Sequence, residues 1–216
     1  MKIFCDQFHF RPFDLALIAI MSAMNFVISI VFAPVLKVVI PQVFLGAFLM
    51  VPLDIFLAYL VWAVTRKSVF TLYFFIYGLL TAPTTIWGNM PGLFKPFLGL
   101  AIGLSLDLIT LRFNSFKWLS RYLMGIVFPI VYWCWTAFVW MVAGLPIVQL
   151  FQAMIRSTPL LNSIIPSGFI ATFVTLSILT IPSSVIGVNI AVSLSKRVEK
   201  IVLPTTKESK GKLPQI

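Results

Sequence analysis

The chain has 216 residues, 60% of them hydrophobic and only 10% charged, with a mean hydropathy of +1.04 and a formal net charge of +10. A soluble domain needs a polar surface that this composition does not supply, so a water-soluble globular protein is excluded. Hydrocarbon leaves backbone N–H and C=O groups no partners but each other, and the uncharged runs far exceed the roughly ten residues of a barrel strand. The predicted class is therefore all-α, an integral membrane bundle.

Charged residues divide the chain into six predicted transmembrane helices: 14–36, 38–65, 68–87, 94–111, 122–145 and 166–194. Together they form a single membrane domain, with a leader at 1–13 and a basic tail at 195–216. The first span contains "ALIAIMSAMNF", in which Ala19, Ser22 and Ala23 lie along one flank. Small residues let a second helix approach closely in lipid, where dispersion replaces the hydrophobic drive, so the flank predicts a partner. The span is too long for a signal peptide and lacks a small-residue cleavage site, so it is expected to be retained.

The second span carries Asp54 near its middle, together with Pro41 and Pro52. An ionisable group at that depth is expensive, and is normally paired or functional. Prolines break the i to i−4 ladder, freeing carbonyls that a neighbour or a cavity must satisfy. The third span runs into "TAPTTIWGNMPG", which places Trp87 and Asn89 among turn formers at the mouth of the bundle. Trp87 there reads either as an interface anchor or as part of a binding site.

The fourth span begins "GLAIGLSLD", so Gly99, Gly103 and Asp107 recur every fourth residue on one face. Two readings stay open. The face is a tight helix contact with one satisfied carboxylate, or Asp107 and Asp54 form a proton relay. In the fifth span Phe128, Tyr132, Trp133 and Trp140 are either lipid-facing filler or the wall of a binding cavity. The connection "LPIVQLFQAMIRSTPLLNSIIP" puts Ile147, Leu150, Phe151, Met154 and Ile155 on one helical face, with Gln149, Gln152 and Arg156 opposite. A short amphipathic helix is predicted there, floating at the outer interface or roofing a cavity whose ligand meets Gln149, Gln152 and Arg156 and stacks on Trp87, Trp133 or Trp140.

Cation placement supports an even number of spans. With the N-terminus inside, Lys2, Arg11, Arg66, Lys67, Arg112, Lys117, Arg121, Lys196, Arg197, Lys200, Lys207, Lys210 and Lys212 face the cytoplasm, and only Lys37, Lys95 and Arg156 lie outside. That bias is the positive-inside asymmetry, and it predicts that both termini are cytoplasmic in a multi-pass protein of the cell membrane. The basic tail reads as a topology signal drawn to anionic lipid rather than a nucleic-acid site.

Chemistry is sparse. His9 is the single histidine, and Cys5 and Cys134 lie at different depths, so no metal centre, disulfide or His-dependent nucleophile is expected. No GxxxxGK[ST] loop is present, so any ATP hydrolysis must come from another chain. An enzyme is not expected, and no cofactor is implied.

The predicted six spans with both termini inside, together with "AIMSA" at Ala19 to Ala23, resemble the substrate-binding S component of prokaryotic energy-coupling factor (ECF) transporters. The family's first helix carries an AxxxA motif at this place, and the GxxxGxxxD run of the fourth span is similar to what many such chains show. The resemblance implies partners: a transmembrane coupling subunit docked at Ala19 and Ala23, and a pair of ATP-binding subunits. It further implies capture of a small vitamin or precursor on the outer side and inward release as the subunit topples. The abundant outer aromatics suit a flat, cationic heterocycle, so thiamine or its pyrimidine precursor is the first expectation. The alternative is a self-sufficient, proton-coupled secondary transporter using Asp54 and Asp107.

Overall fold

A computed structural model describes residues 10–40, 42–65, 67–84, 90–113, 117–146, 149 and 169–210. The described residues form α1 (Pro12–Lys37), α2 (Gln42–Leu45), a π-helical turn (Gly46–Met50), α3 (Val51–Thr65), α4 (Phe70–Thr81), α5 (Phe94–Phe113), α6 (Lys117–Val142) and α7 (Phe169–Lys210). Among them are five helices long and apolar enough to cross a membrane: Pro12–Leu36, Gly46–Thr65, Phe94–Arg112, Tyr122–Val142 and Ile170–Val198. The expectation of an all-helical, membrane-embedded chain matches this architecture.

The third predicted span is the main correction. Its helix covers only Phe70–Thr81, 12 residues in place of the expected 68–87. Pro83 accounts for the early stop, because it has no amide donor and its ring opposes the carbonyl one turn earlier. The second predicted span is likewise not one uninterrupted α-helix from 38 to 65. It turns at Val38–Ile40, and then passes through the π turn just before Pro52. A proline frees carbonyls in the preceding turn, and Ser183 of α7 donates its hydroxyl to one of them, Ala47 O, at 2.9 Å. At the other end, α7 continues into the predicted tail as far as Lys210.

Local chemistry sets the helix ends. Asp14 accepts a hydrogen bond from Arg11 N–H at 2.8 Å, capping the start of α1, and also pairs with Lys67 just beyond α3. The end of α6 is a left-handed Gly144 (φ 70°), with Leu145 N–H bonded to Trp140 O and Gly144 N–H to Met141 O. Both bonds satisfy carbonyls that the last turn leaves open, and glycine meets no Cβ penalty in that conformation.

The helices close into a ring in the order α1, α3, α7, α6, α5, α4 and back to α1. Its interior is filled by Ile18, Ile55, Ala58, Tyr73, Phe74, Tyr77, Leu98, Ile102, Phe128 and Ala191, each at most 2% exposed. The rim is apolar as well, with Ile20, Val27, Val31, Val35, Leu108, Ile178 and Ile186 turned outward, the arrangement expected of a surface bathed in lipid.

Candidate functional site

Where α1, α3 and α4 meet, the interior turns polar. Asp54, on the first turn of α3, lies near the middle of the Gly46–Thr65 span and is 2% exposed. Asn25 Nδ2 of α1 donates to its Oδ1 at 2.8 Å, and Tyr77 of α4 stands nearby, within the electrostatic reach of the same carboxylate. Ser29 Oγ lies 3.0 Å from the Tyr77 hydroxyl. Tyr73 brings its hydroxyl beside Asn25 and into the field of Asp54. There the Tyr73 hydroxyl and Asn25 Oδ1 are buried with no hydrogen-bond partner among the described residues. Unpaired polar atoms in a low-dielectric interior are costly, and here they stand beside a buried carboxylate.

Sequence periodicity puts these groups together. Ser22, Asn25 and Ser29 recur at helical spacing on the inward face of α1, and Tyr73 and Tyr77 stand one turn apart on α4. Ser22 holds the two helices in register by donating to Tyr73 O at 3.1 Å.

Asp107 lies elsewhere and is engaged differently. Its Oδ1 accepts from Phe70 N–H at 3.2 Å, and its Oδ2 accepts from Thr71 N–H at 2.8 Å and Thr71 Oγ1 at 2.6 Å. It therefore caps the N-terminus of α4 from a neighbouring helix. Lys95, fully buried on the same helix α5, serves the opposite end, where its Nζ donates to Thr81 O at 3.0 Å and to Thr84 O. The anion meets the positive end of the α4 dipole and the cation its negative end. A helix of 12 residues is about 18 Å long, and Lys95 and Asp107 are separated by about 18 Å of α5 rise. The clamp and its load match in length.

Glycines allow the clamp to close. A Cβ on Gly99 would fall 2.1 Å from Phe74 O, one on Gly103 2.5 Å from Phe70 O, and one on Gly78 2.6 Å from Lys95 O. The two helices run antiparallel with backbones in contact at every fourth residue. Replacing Asp107 with alanine is expected to strip three hydrogen bonds from a buried helix start and to cost about 3 kcal/mol. Asparagine, which retains one acceptor oxygen, should recover about half. Thermal melting of the purified variants in detergent reads the difference.

Other predicted site residues separate by position. Ala19 and Ala23 are exposed on the outside of the ring, whereas Ser22, grouped with them in sequence, is fully buried against α4. Phe128, Tyr132, Trp133 and Trp140 point into the bundle and are not lipid-facing, and Trp133 Nε1 donates to Thr180 Oγ1 of α7 at 3.3 Å. Beside that bond, Thr136, Ser177 and Ser184 carry buried hydroxyls without partners among the described residues, a polar α6–α7 seam that hydropathy does not reveal. Gln149 is exposed. Trp87, Asn89, Gln152 and Arg156, and the predicted outer amphipathic helix apart from Gln149, lie outside the described residues.

Fold and site together define a multi-pass helical membrane protein with a carboxylate in its polar interior. Comparison with protein-family models, curated proteins and solved structures finds no match.

Proposed function

We propose that the chain is the membrane substrate-binding subunit of an ATP-driven, ECF-type importer of the cell membrane, crossing it six times with both termini in the cytoplasm. In this reading α4 completes the sixth crossing with its flanking turns, its short helix carried by the charged clamp of α5. The observation that supports the proposal most directly is the division of α1 into two faces. Ile18, Ser22, Asn25 and Ser29 bind the helix to the bundle, while Ala19 and Ala23 stand on its exterior. The helix is also peripheral, with 22% of its span buried against 61% for Gly46–Thr65. An exposed small-residue face on a peripheral helix suits close docking of a partner helix, because dispersion contact in lipid grows steeply as backbones approach.

The ligand in this proposal is a small vitamin or precursor, thiamine or its pyrimidine part first, taken up on the outer side near the α6 aromatics and the loop that follows. A coupling subunit docks on Ala19 and Ala23, and two ATP-binding subunits drive inward release. Proteoliposomes test it. Labelled thiamine should accumulate only when the chain, a coupling subunit and both ATPases are present with ATP. Accumulation by the chain alone, without nucleotide, would overturn the proposal in favour of a self-sufficient transporter using Asp54 and Asp107, in which Asp107 would have to release the α4 cap during each cycle.

A further inference from the structure

We infer that the cluster around Asp54 is a binding site for one sodium-sized monovalent cation. Among the described residues Asp54 has no cationic partner; Asn25, which hydrogen-bonds it, and the nearby Tyr77 are both neutral. A carboxylate that is 2% exposed in the middle of a membrane span must be neutralised, by a bound proton or by a compensating cation, or it carries a large desolvation penalty. The oxygens to receive an ion are already assembled. Asn25 Oδ1 and the Tyr73 hydroxyl are unsatisfied, both residues are 0% exposed, and the paired hydroxyls of Ser29 and Tyr77 lie one helical turn further along the same two helices.

Ligand chemistry narrows the occupant. Carboxylate, amide and hydroxyl oxygens are hard donors that suit alkali and alkaline-earth ions. Asp54 is the one acid in the cluster, so a single positive charge neutralises it, whereas a divalent ion would leave a buried net charge. Tyr73 packs edge-to-face with Phe74, ring centroids 5.2 Å apart at 81°, and with both rings 0% exposed the close packing favours a bare ion over an organic ring. Asp54 also follows directly on the π turn and Pro52, and π-helical turns of this kind often accompany functional sites.

The test uses the purified full-length chain in detergent, melted during a sodium chloride titration against choline chloride at constant ionic strength. A saturable rise in melting temperature is expected with sodium and not with choline. Tyr73→Phe removes a hydroxyl that has no partner, so it should melt normally in choline, yet require about fivefold more sodium for half-saturation. Asp54→Asn should abolish the sodium response. Equal melting in sodium and choline would overturn the inference, as would a response to pH alone, or a Tyr73→Phe titration identical to wild type. No partner or nucleotide enters the assay, so its outcome is independent of the importer proposal.

Discussion

Gly99→Val is expected to eliminate folded protein from the membrane fraction. Even the first carbon of a side chain at that position would lie 2.1 Å from Phe74 O, a backbone atom that no rotamer change can move aside. Relief requires α4 and α5 to separate, and separation pulls Asp107 from Phe70 and Thr71 and Lys95 from Thr81 in the same motion. Overpacking and the loss of both caps should together cost about 4 kcal/mol or more, a large share of the 5–15 kcal/mol that stabilises a typical domain. Size-exclusion profiles and protease resistance after extraction measure the effect. Valine at neighbouring Leu100, an exposed position on the same helix, is the control and should be tolerated.

Under the importer proposal, Ala19→Trp combined with Ala23→Trp is expected to have the opposite signature, with the fold intact and transport lost. Both positions are exposed, so the indoles project away from the ring and leave Ile18, Ser22 and Asn25 in place. Melting temperature should remain within a few degrees of wild type, since surface substitutions commonly change stability by about 0.5 kcal/mol or less. A docked helix, however, would be held off by the width of a ring, and the contact dispersion would be lost. ATP-dependent uptake should fall at least about tenfold and the coupling subunit should no longer copurify. Uptake at wild-type level in the double variant would remove α1 as the docking face.

The helical class was legible because composition alone decides which structures hydrocarbon tolerates, and α1, α5 and α6 begin and end close to where charged residues punctuate the apolar runs. The shortness of α4 was only half legible: Pro83 marks where the helix stops, but hydropathy sums side chains and is blind to the source of the caps, which here come from Asp107 and Lys95 on a later helix. The carboxylate pair illustrates the same limit. Asp54 and Asp107 look alike as buried acids in sequence, yet one holds amide donors at a helix start while the other lies among tyrosines and an asparagine. Ser22 was misplaced for a related reason, since it shares a flank with Ala19 and Ala23 in the one-dimensional pattern but turns inward once α4 offers the Tyr73 carbonyl. The aromatics of α6 remained ambiguous in sequence because apolar periodicity is the same for a helix facing lipid and one facing a core.

The clamp on α4 bears on how the protein is made. Ribosomes deliver α4 before α5, so a 12-residue segment emerges whose ends still lack the carboxylate and ammonium that will satisfy them. Left alone in lipid it would strand its terminal amides and carbonyls, and Lys95 and Asp107 would enter unpaired. Both difficulties vanish if the two segments partition together as an antiparallel unit, so biogenesis should proceed pairwise here, with release of α4 from the insertion machinery waiting on synthesis of α5.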